Sequence, residues 1–188
     1  HHFGQQIIDF LFENNNFGID IKISDERDLL LDTGGGIMKA LTLFSNDDPV
    51  LIHNVDIISN INLGKVYEQH VKSGSDATLC VAQRKTSRYL MFDNDMRMKG
   101  WTNVTTGEVK GEKAYNMLAF AGIHVVSQRI SQSLQAMGKE VFPVMDYYLN
   151  NCRDMQFSGY RLPSDTLWVD CGKPESLTKA AEILKEIC

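Results

Sequence analysis

The stretch VLIHNVDII, residues 50–58, decides the fold class, because it is almost entirely apolar over the length of a strand. A strand that is apolar on both faces is typical of a parallel sheet covered by helices on both sides. Apolar residues at helical spacing precede this stretch at 37–41 and follow it at 63–71, and a second apolar strand follows at 77–82. Strands that alternate with helices predict an α/β fold with a Rossmann-like, mostly parallel sheet flanked by helices.

The other elements are predicted from the same two periodicities. Helices are expected at 3–11, 128–137, 144–151 and 175–187, and strands at 19–23 and 119–126. The region 88–116 differs, since two short strands at 89–92 and 96–101 flank a polar turn, as in an antiparallel hairpin. We therefore predict one domain over residues 1–188, with an antiparallel insertion at 88–116.

Length and composition exclude several classes of protein. The 188 residues, 43% hydrophobic and 23% charged, suffice for one globular domain and exclude a disordered chain. No apolar run approaches the roughly 20 residues of a membrane span, so no membrane partner is expected. The net charge is −5 and the basic residues are scattered, which excludes nucleic acid as an expected partner. The four cysteines lack metal-ligand spacing and indicate reduced thiols, so we expect a cytoplasmic protein.

Three consecutive glycines directly precede a predicted helix in the stretch LDTGGGI, residues 31–37. Glycines let backbone N–H groups approach a ligand closely, and a helix N-terminus favours an anion or a polar base edge. The stretch has neither the Gly-Lys-Ser/Thr of a Walker loop nor the glycine spacing of the dinucleotide fingerprint. Two interpretations stay open, a ligand-binding turn and a mobile connector.

Two aspartates lie where apolar strands end. Asp56 comes towards the end of 50–58, and Asp170 follows the apolar Leu167-Trp168-Val169. Ligands of open parallel sheets bind beyond the carboxyl ends of strands, and a carboxylate there needs a cation or another partner. Together the two would suit one Mg²⁺, which prefers one or two carboxylates plus phosphate oxygens and water. Taken singly, Asp56 as a helix cap and Asp170 as a turn residue are the alternatives.

Four motifs, in this order, resemble those of the sugar-phosphate nucleotidyltransferases. They are LDTGGGI at 31–37, NVD at 54–56, FAGI at 120–123 and WVDCG at 168–172. The resemblance is strongest to the bacterial group of mannose-1-phosphate guanylyltransferases and N-acetylmuramate-1-phosphate uridylyltransferases. It extends from residue 1 to about residue 184, because the opening HHF with Gln6 and Ile7 is similar to a segment that follows the family's second strand.

The resemblance implies a nucleotidyltransferase of the nucleotide-diphospho-sugar transferase fold, which makes an NDP-sugar and pyrophosphate from an NTP and a sugar 1-phosphate. It implies a nucleotide site at Thr33, Gly34, Gly35, Gly36 and Asn54, and a sugar site at Asn103, Gly122 and Ile123. It also implies that Asp56 and Asp170 are catalytic and hold Mg²⁺. The sugar phosphate is itself the nucleophile, so catalysis would consist of positioning and charge neutralisation.

The chain departs from the family pattern at two points. Val55 stands between Asn54 and Asp56, where most members have glycine. The family's glycine-rich loop with its arginine, and the Pro-Lys pair after it, lie upstream of the first motif and occur nowhere in these 188 residues. We therefore expect the family's first strands to be missing here, and these residues alone to release little or no pyrophosphate.

Two alternatives belong to other functional classes. A non-catalytic nucleotide-sugar-binding regulatory domain would share the fold, and an intact upstream loop would favour the enzyme over it. A dinucleotide-binding oxidoreductase would need the fingerprint that this chain lacks. The sequence leaves the base, the sugar and the oligomeric state open.

Overall fold

A computed structural model of the protein describes residues 3–44 and 47–187. The chain divides into two compact units. Unit 1 comprises His1–Asp47 and Ser131–Tyr148, and unit 2 comprises Asp48–Ile130 and Leu149–Cys188.

The elements of both units are numbered in chain order. The helices are α1 (Gly4–Glu13), α2 (Asp32–Leu41), α3 (Leu63–Ser73), α4 (Gln128–Ala136), α5 (Val144–Asn151) and α6 (Leu177–Ile187), with 3₁₀ turns at Asn15–Gly18 and Pro174–Ser176. The strands are β1 (Val50–His53), β2 (Ile57–Ser59), β3 (Ala77–Ala82), β4 (Arg88–Phe92), β5 (Met98–Asn103), β6 (Glu108–Gly111), β7 (Asn116–Val126), β8 (Phe157–Arg161) and β9 (Trp168–Asp170).

Unit 2 is built around β7. The strand order of its main sheet is β6-β5-β4-β7-β3-β8, and β1 also pairs with β7. β7 therefore has three neighbouring strands, and its residues Leu118, Ile123 and Val125 are fully buried. A second sheet consists of β2 and β9 alone, and α6 covers it by packing Ala180 and Ile183 against Val169. The carboxyl end of β9, where Asp170 lies, is thus held by both a strand and a helix.

The strand directions differ from the predicted mostly parallel sheet. The α/β class and the antiparallel hairpin of β4 and β5 are as predicted. Among the described strands, however, only β3 and β8 pair in parallel, and β7 runs antiparallel to β1, β3 and β4. A continuous apolar run reports that both faces of a strand are buried, which is equally true of a central antiparallel strand, so it carries no information on direction.

Two local predictions were wrong, and strand β8 was not predicted. Residues 50–58 do not form one strand, because the chain turns at 54–56 and continues in the second sheet as β2. Residues 19–23 alternate like a strand but form none, since no strand pairs with them in the described part of the chain and Ile19 and Ile23 are exposed. β8 was missed because its sequence FSGYR has few apolar residues, although it pairs with β3 along its whole length.

Two further properties concern the lengths of the helices and the state of the cysteines. None of the helices in residues 3–44 and 47–187 is long and apolar enough to cross a bilayer. Cys80 and Cys152 are buried free thiols and Cys171 is a half-buried one, whereas Cys188 lies outside the described residues. Burial raises the pKa of Cys80 to about 12, so this thiol stays protonated, and hence unreactive, at neutral pH.

The acid stability of unit 2 is expected to depend on His124. This residue lies on β7 opposite Ile52 and Leu79, is 3% exposed, and burial lowers its pKa to about 4. An unfolded histidine has a pKa near 6.5. Below that pH the unfolded state binds a proton that the folded state does not, so stability is complete above about pH 6.5 and falls as the pH approaches 4.

We expect His124 to account for a loss of about 2 kcal/mol in the free energy of unfolding between pH 7 and pH 5, at about 1.4 kcal/mol per pH unit. Burial also lowers the pKa of His70, which adds a loss of the same sign. Urea unfolding at both pH values should show a smaller loss for His124→Gln than for the natural chain. His53→Gln, at an exposed histidine of β1, is the control. Identical losses in His124→Gln and the natural chain would contradict this assignment.

Candidate active site

The aspartates Asp56 and Asp170 are neighbours in unit 2. Ile57 pairs with Asp170 in the antiparallel register of β2 and β9, and the N–H of Cys171 donates to the carbonyl of Asp56 at 2.8 Å. The two-stranded sheet therefore holds the two aspartates side by side, although they are far apart in the sequence. Asp56 does not cap the following helix, because Asn62 caps α3 with its side chain. The alternative role of Asp56 as a helix cap is thus wrong.

Gly172 leaves a space between the two carboxylates. A Cβ on Gly172 would lie 3.0 Å from Asp170 Oδ1 and 3.3 Å from Asp56 Oδ2, so one oxygen of each carboxylate lies close to the same point. The N–H of Gly172 donates to Asp170 Oδ1 at 2.8 Å, which orients that carboxylate. Asp170 is therefore a turn residue and a potential ligand at the same time.

Two carboxylates that converge in this way fit a hard divalent cation. Mg²⁺ takes oxygen ligands, and it commonly binds one or two carboxylates while substrate phosphates and water complete its shell. Within residues 3–44 and 47–187 no group of three or more His, Cys, Asp or Glu is arranged to hold a metal ion. Two carboxylates would leave the other positions of such a cation's shell to other ligands.

The segment FAGI, residues 120–123, lies in β7 where its pairing changes. β4 pairs with residues 116–118 of β7, and β1 pairs with residues 123–126. Residues 119–122 therefore pair with neither β4 nor β1. Three consecutive carbonyls accept hydrogen bonds there: that of Phe120 from Arg84 Nη2 at 2.9 Å, that of Ala121 from Trp168 Nε1 at 2.9 Å, and that of Gly122 from Asn54 N at 3.0 Å. Three of the four sequence motifs therefore meet at this part of β7.

Gly122 and Ile123, the predicted sugar residues of this segment, have different surroundings. Gly122 has φ +77°, and a Cβ on it would lie 3.1 Å from both Asn54 Nδ2 and Ile57 Cγ1. Glycine is required there by the backbone conformation as well as by the close contact with Asn54. Ile123 is fully buried and packs in the core with Val66. The side chain of Ile123 is thus a core residue, and a sugar contact by Gly122 stays a prediction.

Asn103, the third predicted sugar residue, lies at the end of β5, which β4 separates from β7. Its side-chain oxygen accepts hydrogen bonds from the N–H groups of Thr105 at 3.0 Å and Thr106 at 3.4 Å. These bonds shape the turn into β6. The structure therefore shows a turn-forming role for Asn103, and its contact with a sugar stays a prediction.

Arg84 also belongs to this region, although it lies outside the four sequence motifs. It follows β3, and its Cζ lies 4.4 Å from the ring centroid of Trp168. Desolvation lowers the pKa of Arg84, while the negative charge of Asp170 acts in the opposite direction. Its place beyond the end of a buried strand was the available signal, since ligands of α/β sheets bind there.

The glycines Gly34, Gly35 and Gly36 lie inside α2 rather than in a turn before it, so that prediction was wrong. The N–H of Gly34 donates to the carbonyl of Phe142 at 2.8 Å. A Cβ on Gly34 would collide with the Phe142 ring, and a Cβ on Gly35 with the carbonyl oxygen of Glu140. Gly34 and Gly35 therefore allow the segment that contains Glu140 and Phe142 to pack closely against α2. This packing accounts for glycine at both positions without a ligand.

Thr33 and Gly36 differ, because they line an open groove of unit 1. The groove has a volume of about 630 Å³, and its other lining residues are Glu26, Leu30, Asp32, Ile37 and Val141. Gly36 faces a carboxylate, since a Cβ on it would lie 2.6 Å from Glu26 Oε1. Thr33 Oγ1 accepts a hydrogen bond from Val144 N at 3.0 Å. The predicted nucleotide residues thus include two that border an acidic groove.

No family profile matches this chain. It is 27% identical over 187 residues to the D-glycero-alpha-D-manno-heptose 1-phosphate guanylyltransferase of Aneurinibacillus thermoaerophilus, covering 96% of this chain and 74% of that protein. It is 23% identical over 170 residues to the catalytic subunit beta of mannose-1-phosphate guanylyltransferase of Drosophila pseudoobscura pseudoobscura, covering 87% of this chain and 42% of that protein. Its homologues are therefore sugar-phosphate nucleotidyltransferases, which confirms the resemblance that the motifs predicted.

The chain also shares its fold with solved structures, among them the following two. HddC from Yersinia pseudotuberculosis, complexed with GMP-PN, has a TM-score of 0.69 and 20% identity, with 96% of this chain and 74% of that chain covered. A putative glucose-1-phosphate thymidylyltransferase from Bacillus anthracis, in complex with a sucrose, has a TM-score of 0.72 and 14% identity, with 98% and 73% covered. The predicted α/β fold of the nucleotide-diphospho-sugar transferase type is confirmed.

Proposed function

We propose that this chain is the nucleotidyltransferase domain of an enzyme that makes an NDP-sugar and pyrophosphate from an NTP and a sugar 1-phosphate. The observation that carries the proposal is the convergence of the Asp56 and Asp170 carboxylates beside Gly172. The two relatives that act on sugar 1-phosphates support the reaction class. Trp168 and Asn54 support the site, because their hydrogen bonds tie two of the motifs to one part of β7, where Arg84 also donates a hydrogen bond.

The chemistry of the reaction agrees with a site that has carboxylates and no protein nucleophile. A phosphate oxygen of the sugar 1-phosphate forms a bond to the α-phosphorus of the NTP, and the bond from that phosphorus to the pyrophosphate oxygen breaks. The leaving pyrophosphate takes the electron pair. Asp56 and Asp170 would hold a Mg²⁺ ion, which when bound supplies positive charge to the phosphate oxygens.

We also propose guanine as the base. Its Watson–Crick edge carries adjacent N–H donors at N1 and N2, and a carboxylate offers two acceptor oxygens in matching geometry. In unit 1 the groove beside Thr33 and Gly36 has the carboxylates of Glu26 and Asp32 in its lining. The two relatives described above are guanylyltransferases, which supports the same base.

Nucleotide titration by calorimetry tests this proposal, since binding is measurable even if the chain turns over slowly. We expect GTP with Mg²⁺ to bind at least about tenfold more tightly than ATP, CTP or UTP, because each carboxylate hydrogen bond to a donor pair contributes about 1–3 kcal/mol. Glu26→Gln should reduce this preference, and Glu13→Gln, on the exposed end of α1, is the matched control. Equal affinity for all four nucleotides would contradict the guanine assignment, and no nucleotide binding even by a longer protein that carries the family's upstream loop would contradict the reaction.

Pyrophosphate release separates the enzyme from the non-catalytic alternative. The assay uses a panel of hexose 1-phosphates with the preferred NTP, and a longer protein that carries the family's upstream loop before these residues. We expect turnover from the longer protein and little from the 188 residues. If the longer protein and the 188 residues both bind the nucleotide tightly and neither releases pyrophosphate, a regulatory nucleotide-sugar-binding domain would be favoured.

A further inference from the structure

Arg84 is placed by three interactions within unit 2. Its N–H donates to the carbonyl of Ala82 at 3.1 Å, which turns the chain sharply after β3. Its Nη2 donates to the carbonyl of Phe120 at 2.9 Å, and its Cζ lies 4.4 Å from the centroid of the Trp168 ring. A guanidinium that is bonded at one edge and stacked on one face has a defined position, because both contacts restrict its rotation.

This position is on the side of β9 from which the Asp170 carboxylate projects. Trp168 and Asp170 are two residues apart on β9, where they pair with Ser59 and Ile57. Alternate residues of a strand point to the same face. Arg84 packs on Trp168 and therefore lies on the face of the sheet from which the Asp170 carboxylate projects.

Arg84 has no carboxylate partner at ion-pair distance in the described part of the chain. The side chain is half-buried, and its Nε is buried without a hydrogen-bond acceptor. A cation that is partly removed from water without a paired anion costs free energy, so its charge is available to an anionic ligand. In the proposed reaction such a ligand arrives as phosphate.

We propose that Arg84 is a positioning residue that acts through its charge, favouring a phosphate group beside the Asp56–Asp170 pair and disfavouring a divalent cation there without a phosphate. The inference rests on the proposed function. The guanidinium attracts the phosphate and repels a bare cation, so each of the two ligands binds more tightly when the other is present. Such coupling is reciprocal, because it is one free energy shared by two binding equilibria.

The test is Mn²⁺ binding, followed by electron paramagnetic resonance with and without a hexose 1-phosphate. In the natural chain the hexose 1-phosphate should tighten Mn²⁺ binding. Arg84→Gln and Arg84→Met remove the charge, and the methionine keeps an apolar contact with Trp168. In both variants Mn²⁺ alone should bind about three- to tenfold more tightly, and the tightening by hexose 1-phosphate should shrink by a similar factor.

Two control variants separate charge from packing. Arg84→Lys keeps the charge and should bind Mn²⁺ like the natural chain, whereas Arg153→Gln removes an exposed arginine of the same unit and should change nothing. Unchanged or weaker binding of Mn²⁺ alone in both neutral variants, or loss of the folded state in both by circular dichroism, would show a purely structural role and overturn the inference. A natural chain that binds no Mn²⁺ even with hexose 1-phosphate would instead overturn the proposed function.

Discussion

Replacing either Asp56 or Asp170 by asparagine is expected to weaken Mn²⁺ binding at least about tenfold, and to lower pyrophosphate-forming turnover at least about 100-fold in a protein that carries the upstream loop. Asparagine has the size of aspartate and keeps one acceptor oxygen, but it lacks the negative charge that a hard cation requires. In Asp170→Asn the amide oxygen can still accept the hydrogen bond that Gly172 N donates to Asp170 Oδ1 at 2.8 Å in the natural chain. The loss should therefore concern the site and leave the fold intact.

Asp165→Asn is the matched control, because it removes an exposed carboxylate of the same unit in the loop before β9. It should leave Mn²⁺ affinity and turnover near those of the natural chain. Circular dichroism and urea unfolding show whether each variant is folded, and electron paramagnetic resonance with the pyrophosphate assay gives the two functional readouts. Near-normal turnover in both Asp56→Asn and Asp170→Asn would overturn their assigned roles.

The convergence of Asp56 with Asp170 was predicted because each lies in or directly after an apolar stretch, and such stretches mark the strands of a core. The structure adds what joins them, which is the register of β2 with β9 and the space at Gly172. Register depends on contacts between segments that are distant in the chain, and a periodic pattern within one segment does not contain them. The apolar runs could therefore be found, but the ends of the strands within 50–58 and the sheet to which each strand belongs could not.

Arg84 and the glycines of α2 also show that a local sequence pattern does not identify contacts with distant segments. Nothing in the local pattern around Arg84 indicates the Trp168 ring, because that contact joins the end of β3 to β9. Three consecutive glycines indicate that another group packs closely against their backbone, but they do not identify that group. In the structure, Phe142 packs against Gly34 and Glu140 packs against Gly35, and both belong to the same unit as these glycines.

This packing predicts that two similar substitutions in α2, Gly35→Ala and Gly36→Ala, differ greatly in their effect on the free energy of unfolding. Gly35→Ala should destabilise the protein by about 2–4 kcal/mol, since its methyl group would collide with the carbonyl oxygen of Glu140 and lie 2.9 Å from Leu31 Cβ. A backbone carbonyl moves only if its whole segment moves, so the collision has no inexpensive relief. Urea unfolding of the two variants and the natural chain measures the effect.

Gly36→Ala is the control, because it is the same chemical change one residue along the same helix. Its methyl group would meet Glu26 Oε1 at 2.6 Å, which is the end of a flexible side chain that can rotate away. Both variants gain up to about 1 kcal/mol of helix propensity, so the difference between them isolates the close approach of Glu140. If the glycines served a ligand alone, both variants would be stable and both would lose nucleotide affinity. If packing requires Gly35 and the groove requires Gly36, only Gly35→Ala loses stability, while Gly36→Ala stays folded and binds GTP more weakly.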